Sequence, residues 1–208
     1  LSVSAPPKTV LHASPEEASA IREAVRQADV SALWPGCVVA GPQHVGALVE
    51  LLCDPRVSGP IYDLPTPISQ ETIAAWVHDT ETLQKAGEAI LVVAPDGDGR
   101  IFTYSRFTIW PERASAEMAG AFRADAQSAG IGKAGAARSF DWMFRELKVR
   151  LICATAALDN VRSARVIEAA GFKPMGERLS VRADGSSRRS LYWELCREDW
   201  ARTHQRHE

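Results

Sequence analysis

Little in the composition singles this chain out, and what it lacks removes several classes of function. Its four cysteines, Cys37, Cys53, Cys153 and Cys196, form no C-x-x-C pair, and no histidine stands at zinc-finger spacing from them. Each sits among apolar residues, which favours small buried hydrophobes in a reducing compartment over a metal site or a thiol nucleophile. No apolar run approaches the roughly 20 residues that a helix needs to cross a bilayer. The first residues show no signal-peptide pattern. The formal charge is only −2, so no overall field draws the chain to nucleic acid or to an anionic membrane. Repeats and low-complexity tracts are absent. Together these absences predict a cytoplasmic protein with no metal and with neither nucleic acid nor membrane as partner.

What is present is ordinary for a globular domain: 208 residues, 46% hydrophobic and 24% charged. That length can bury a core without disulfides or metals. Ser14-Pro15-Glu16-Glu17 has the form of a capping box, and Ile21, Val25 and Ala28 continue it as an amphipathic helix that ends at Trp34-Pro35-Gly36. Val38 to Ala40 suits a short strand. Pro42 opens a helix with Val45, Leu48, Val49 and Leu52 at helical spacing. A proline-rich connection covers Asp54 to Ile68. Ser69 then caps a second helix that carries Ile73, Trp76, Val77 and Leu83 on one face. Ala89 to Ala94 and Ile101 to Trp110 read as strands joined by the Asp96-Gly97-Asp98-Gly99 turn. Ser115 to Arg123 is a further strand, Lys133 to Leu147 a helix, Leu151 to Ala156 a buried strand and Asn160 to Ala170 a short helix stopped by Gly171. Glu177 to Arg182 and Arg189 to Cys196 form a closing hairpin. The order predicts a mixed α/β fold: a mostly antiparallel sheet with a central βαβ unit and helices on both faces. Trp76 and Trp142 suit core packing.

One motif carries chemistry. Gln127-Ser128-Ala129-Gly130-Ile131-Gly132 follows a strand-like run and opens a helix-like one. Glycines at this spacing let backbone N–H groups face one point, and the start of the next helix adds unpaired donors and the positive end of its dipole. Such a socket suits a phosphate or pyrophosphate. A plain glycine turn capping a strand is the alternative.

A second stretch, Asn160-Val161-Arg162-Ser163-Ala164-Arg165-Val166-Ile167-Glu168-Ala169-Ala170-Gly171-Phe172, matches the pattern N-x-x-S-x-x-x-x-E-x-x-G-F. With the Q-x-x-G-x-G loop, the Glu117-Met118-Ala119-Gly120 strand start and the terminal Glu198-Asp199-Trp200, the chain resembles the GNAT superfamily of acyl-CoA-dependent N-acetyltransferases, and within it the RimJ/RimL-type branch that acetylates N-terminal amines of ribosomal proteins. The resemblance covers about Cys37 to Trp200. It divides the chain into an extension over residues 1–36 with one amphipathic helix, a GNAT-like domain over 37–200 and a tail over 201–208. The extension has no counterpart in the family; its helix suits a lid or a homodimer contact.

The resemblance implies acetyl-CoA as donor, with no metal. Gln127, Ser128, Ala129, Gly130, Ile131, Gly132, Lys133 and Ala134 would hold the pyrophosphate. The pantetheine arm would run along the Glu117 to Arg123 strand, against Ala119, Ala121, Phe122 and Arg123, as an added strand does. Asn160, Ser163 and Arg165 would face the arm from the other side, although Asn160 equally suits a plain helix cap. The amine would attack the thioester directly, with a strand N–H near Ala119 to Ala121 serving the oxyanion. Glu117 is the candidate base, acting through water, or else a strand charge paired with Arg106 or Arg113. Many members place a tyrosine acid seven residues after the asparagine; Ile167 stands there instead, and Ser163 matches the serine proposed as acid in the RimJ/RimL-type branch. That branch's sixth-strand glutamate is replaced by Arg182. A lysine amine has a pKa of about 10.4 and an α-amine one of roughly 7.7–8.0, so a site without a strong base favours an N-terminal amine. Tyr62, Asp63 and Arg182, with Arg188 and Arg189, are the candidates for acceptor contact, from the Asp54 to Ile68 connection and the Arg182 to Ser190 hairpin. A small-molecule amine acceptor (an antibiotic or a polyamine) and a CoA-binding module without turnover are the competing functions.

Overall fold

The computed structural model describes residues 5–127, 131–181 and 186–204. Among them are seven strands: β1 (Val38–Val39), β2 (Ala89–Pro95), β3 (Ile101–Trp110), β4 (Ser115–Phe122), β5 (Leu151–Ala157), β6 (Lys173–Val181) and β7 (Ser187–Cys196). They form one sheet in the order β1-β2-β3-β4-β5-β7-β6. Only β4 and β5 pair parallel; every other neighbouring pair is antiparallel. The helices are α1 (Pro15–Arg26), α2 (Val45–Leu52), α3 (Pro55–Ser58), α4 (Gln70–Ala86), α5 (Ile131–Arg145), α6 (Val161–Ala169) and α7 (Arg197–His204). α5 is the crossover of the β4–α5–β5 unit, as the sequence order predicts.

Side-chain alternation divides the interior in two. On β2, Ile90, Val92 and Ala94 point into one core, with Phe107 and Ile109 of β3, Phe140, Met143 and Phe144 of α5, and Ile21 and Val25 of α1. Leu91 and Val93 point the other way, into a core with Leu48 and Leu52 of α2 and Ile73, Trp76 and Val77 of α4. The period of two along β2 thus feeds both layers. Trp76 and Trp142 are core residues, as expected.

Local signals account for most helix ends. Ser14 Oγ accepts the Glu17 N–H at 3.2 Å, and Ser69 Oγ accepts that of Thr72 at 3.2 Å. Some boundaries differ from the sequence expectation. Pro42 opens a 3-10 turn (Pro42–His44) before α2. The proline-rich connection holds α3, capped by Asp54, which accepts the Arg56 N–H at 2.9 Å. β6 begins at Lys173, not Glu177, because β7 offers it partners as far as Glu194 across a bulge between Pro174 and Glu177. α7 is an element the residue pattern did not suggest. Its Trp200 is buried against Phe140 and Phe144.

The extension is part of this interior. Ile21 and Val25 are fully buried, and Val30 and Leu33 join them against the sheet. Burying such a side chain contributes roughly 1.5–3 kcal/mol. Trp142 Nε1 donates to the Asp29 carbonyl at 2.8 Å. The cysteines are only partly as expected: Cys37 and Cys153 are buried, but Cys53 is exposed and Cys196 half-exposed. Cys53 is the residue that ends α2, and Cys196 Sγ donates to Asp199 Oδ2 at 2.9 Å.

α4 ends at Gly87, whose φ is +81°. A Cβ there would lie 2.6 Å from Arg22 Cβ and 2.8 Å from the Arg22 carbonyl oxygen. The glycine thus serves the left-handed cap and the docking of α1 at once. Gly87→Ala is expected to lower stability by at least about 1–3 kcal/mol from backbone strain alone, read as a lower urea midpoint.

Candidate active site

β4 and β5 pair at Ser115 with Leu151, Ala116 with Ile152 and Glu117 with Cys153, and the pairing stops there. β4 stays on β3 as far as Phe122, and β5 stays on β7 as far as Ala157. The sheet therefore parts at Glu117 into a V. Gly120 supplies one cause: a Cβ at that position would lie 2.5 Å from the Tyr104 carbonyl oxygen and 3.1 Å from Ser105 Cα. Only glycine lets β4 press so closely on β3, away from β5. Beyond Glu117, the β5-facing main-chain groups of β4 have no strand partner among the described residues, although buried backbone N–H and C=O groups need partners. The V opens into a cleft of about 500 Å³.

Directly paired residues share a face of the sheet. Glu117 lies beside Thr108, Ala119 beside Arg106 and Ala121 beside Tyr104. The Glu117 carboxylate is half-buried and accepts a hydrogen bond from Thr155 Oγ1 of β5 at 3.2 Å, across the base of the V. Arg106 Nη1 donates to Thr108 Oγ1 at 3.1 Å, and Arg113 Nη1 to the Pro7 carbonyl at 3.1 Å.

The opposite arm is α6. Asn160 Oδ1 caps it, accepting the Ser163 N–H at 3.1 Å. Asn160, Ser163 and the buried Ile167 all line the cleft. Arg162 bridges the arms: its Nη2 donates to the Gln127 carbonyl at 2.8 Å and its Nη1 to Gln127 Oε1 at 3.3 Å. Gln127 Nε2 donates in turn to the Phe122 carbonyl at 2.9 Å. Gln127 thus staples the end of β4 to α6. Arg162 escaped the sequence analysis, although it is a cation in the first turn of the helix that Asn160 opens.

The remaining donor-side candidates fall in different places. Ala119, Ala121, Phe122, Gln127 and Gly132 line the cleft. Lys133 and Ala134 are exposed at the start of α5, and Ile131 is half-buried. Arg165 is exposed and outside the cleft lining. Arg123 turns to a smaller hollow, where it pairs with Asp96 at 2.6 Å and Asp125 at 2.9 Å; these carboxylates raise its pKa. Ser128, Ala129 and Gly130 of the glycine loop, and Arg182, lie outside the described residues. Gly135 was also missed: a Cβ there would lie 2.8 Å from Phe122 Cζ, so the first turn of α5 rests on the ring at the end of β4. It completes a G-x-G-x-x-G spacing with Gly130 and Gly132.

The proline-rich connection and the final hairpin, the two segments expected to flank the acceptor, meet. Tyr62 Oη lies 3.3 Å from Ser186 Oγ. The Arg188 guanidinium stacks 4.6 Å from the Tyr62 ring centroid and reaches the Pro60 carbonyl at 3.4 Å. Tyr62 and Asp63 both line the cleft. So does Tyr104, whose hydroxyl is buried with no hydrogen-bond partner among the described residues. Burial and, less strongly, the Asp63 charge push its pKa well above the usual phenol range. Nothing in the sequence distinguished Tyr104 from any aromatic of an alternating strand. Burial likewise raises the Cys153 thiol well above its ordinary value, which disfavours the thiolate form beside Glu117. Among the described residues, no helix is long and apolar enough to cross a membrane, and no cluster of His, Cys, Asp and Glu could hold a metal.

A buried, unpartnered hydroxyl costs about 1–3 kcal/mol. Tyr104→Phe is therefore expected to leave the melting temperature unchanged or raise it. A clear fall in melting temperature would mean that the hydroxyl is already bonded within the protein.

With this geometry in hand, comparison with known proteins yields a consistent set. The family description "Acetyltransferase (GNAT) domain" matches residues 40–173, well over half of the chain. No curated protein sequence matches significantly. Solved structures do. The ribosomal-protein-S5-alanine acetyltransferase from Vibrio fischeri is 17% identical, with a TM-score of 0.66 over 79% of this chain and 93% of that one. RimJ from Mycobacterium smegmatis, in complex with CoA-disulfide, is 17% identical, with a TM-score of 0.64 over 78% and 81%. The yncA protein from Salmonella typhimurium, solved with its cofactor acetyl-CoA, is 18% identical, with a TM-score of 0.58 over 77% and 92%. At these identities the likeness is one of fold.

Proposed function

This chain belongs to the acetyltransferase (GNAT) domain family, and on that footing we propose that it transfers acetyl from acetyl-CoA directly to a primary amine, the N-terminal α-amine of a protein or peptide. The observation that carries this reading is the V at Glu117, with an unpaired β4 edge on one side and the capped start of α6 on the other. An extended thioester arm fits such an edge by adding to it as a strand would. Acetyl-CoA supplies the activated acyl group and a thiolate leaving group. The chain's own residues do the rest. Main-chain N–H groups near Ala119 to Ala121 stabilise charge on the thioester oxygen. The first turn of α5, at Gly132, favours the anionic diphosphate through its unpaired donors and dipole. An added Cβ at Gly132 would meet nothing within 4 Å, so there is room for a bulky anion.

No thiol or hydroxyl nucleophile is required. Glu117, held by Thr155, takes the amine proton through water. Ser163, its N–H tied to Asn160, relays a proton from solvent water to the departing thiolate, so that its own hydroxyl is restored. Neither group is a strong base at neutral pH, which favours an acceptor that is already partly deprotonated. An α-amine, with a pKa of roughly 7.7–8.0, meets that condition better than a lysine at about 10.4. The charge of the cleft argues against a polyamine: among the described residues, Arg56, Arg162, Arg178 and Arg188 line it beside Asp63 and Glu117 alone. A polycation would gain little there. The Vibrio fischeri and Mycobacterium smegmatis relatives, named for work on a ribosomal-protein alanine and as RimJ, support the same acceptor class.

A thiol-release assay with acetyl-CoA against N-terminal peptides, lysine peptides and small amines tests donor, acceptor class and turnover together. Fastest turnover on N-terminal peptides is expected. Preference for a small amine would replace the acceptor assignment, and tight CoA binding without turnover on any amine would refute catalysis. Gly132→Asp is expected to cut CoA affinity by at least tenfold with an unchanged fold, because a carboxylate would stand where the diphosphate binds; undiminished affinity by calorimetry would rule out that placement. Ser163→Ala is expected to lower kcat with little change in CoA affinity, and unaltered kcat would remove Ser163 as the acid.

A further inference from the structure

The family match begins at residue 40, yet the segment ahead of α1 is held to the sheet by a series of specific contacts. Arg178 of β6 donates to the Ala5 carbonyl at 2.8 Å and to the Pro6 carbonyl at 2.6 Å. Arg113 donates to the Pro7 carbonyl at 3.1 Å. The Lys8 N–H reaches Tyr192 Oη at 3.1 Å, and the Thr9 N–H reaches Glu194 Oε1 at 3.0 Å. Lys8 Nζ donates to the carbonyls of Met175 and Glu177 at 2.7 and 3.0 Å. Arg150 closes the series on the His12 carbonyl at 2.7 Å.

Beneath this strap, Tyr192 Oη donates to Glu194 Oε1 at 2.6 Å, and both residues are buried. A buried carboxylate needs donors. Burial alone would raise the Glu194 pKa; the bonds from Thr9 and Tyr192 outweigh it, so the group stays below its ordinary value. Arg178 is fixed as well, with its guanidinium 4.3 Å from the Tyr192 ring centroid. The sheet face here is therefore built to grip main chain, and what it grips is the segment that leads to the cleft. Ala5 and Arg178 both line that cleft.

We propose that Ala5, positioned by Arg178, forms a wall of the acceptor chamber that selects amines by the shape and polarity of the group next to the reacting nitrogen. The wall's chemistry indicates what it selects. Ala5 presents a methyl, its carbonyl is already taken by Arg178, and the two residues after it, Pro6 and Pro7, have no N–H. Such a surface suits a small apolar flank. The proposal rests on the amine-transfer reading and adds to it a specificity element outside the matched family region.

The test uses the full chain and four peptides that begin with alanine and carry alanine, leucine, tryptophan or aspartate second. Wild type should prefer the first two. Ala5→Trp alters an exposed side chain and so should fold. It is expected to lower kcat/KM for the tryptophan peptide relative to the alanine peptide by about tenfold, with CoA affinity unchanged by calorimetry. Arg178→Ala, which frees the wall, should narrow the spread among the four peptides. An unchanged tryptophan-to-alanine ratio in Ala5→Trp together with an unchanged spread in Arg178→Ala, or a uniform fall across the panel, would overturn the wall while leaving amine transfer standing. Absence of turnover by wild type on every amine would instead overturn amine transfer, and the wall with it.

Discussion

The rest of this structure depends on where a parallel ladder stops. β4 and β5 share three paired positions, and beyond Glu117 each keeps only its antiparallel partner. A sheet that opens in its middle exposes main-chain donors and acceptors at a depth where they need partners. It also brings a strand edge, a helix start and a carboxylate to one place. Gly120 permits the opening, because no other residue could sit so close to the Tyr104 carbonyl. The two cores hold the arms apart: α5 and α6 pack on one face, α2 and α4 on the other.

Around that opening, the chain's charged residues act as clamps more than as a field. Arg162 and Gln127 join the tips of the V. Arg123 turns away to Asp96 and Asp125. Arg178, Arg113 and Arg150 hold the amino-terminal strap by its carbonyls. Surface ion pairs contribute little to stability, often 0–1 kcal/mol. Guanidinium groups that fork onto main-chain carbonyls do more to set geometry. With a net charge of −2, the chain has no long-range steering to offer. Its selectivity has to arise at short range, inside the cleft.

Several features were legible before any coordinates. Ser14 and Ser69 read as helix caps and are caps. The Ile101 to Trp110 strand has the ends its alternation suggested. The motif around Asn160 gave both the helix start and its place in the cleft. Other features were not legible. Tyr104 looks like any strand aromatic, and only the fold leaves its hydroxyl buried, with no partner among the described residues. Arg162 and Arg165 are indistinguishable by residue type, but helical spacing turns one to Gln127 and leaves the other in solvent. α7 depends on Trp200 finding Phe140 and Phe144.

The division follows from range. Caps, turns, alternation and glycine spacing act over a few residues, so the sequence by itself determined most of the elements, their order and the family. The opening at Glu117, the staple between Gln127 and Arg162 and the strap between Ala5 and Arg178 join residues far apart in the chain. Such contacts form only when packing brings them together, and no local pattern encodes which side chain will meet which carbonyl. The tertiary structure alone therefore decided the shape of the cleft and what walls it.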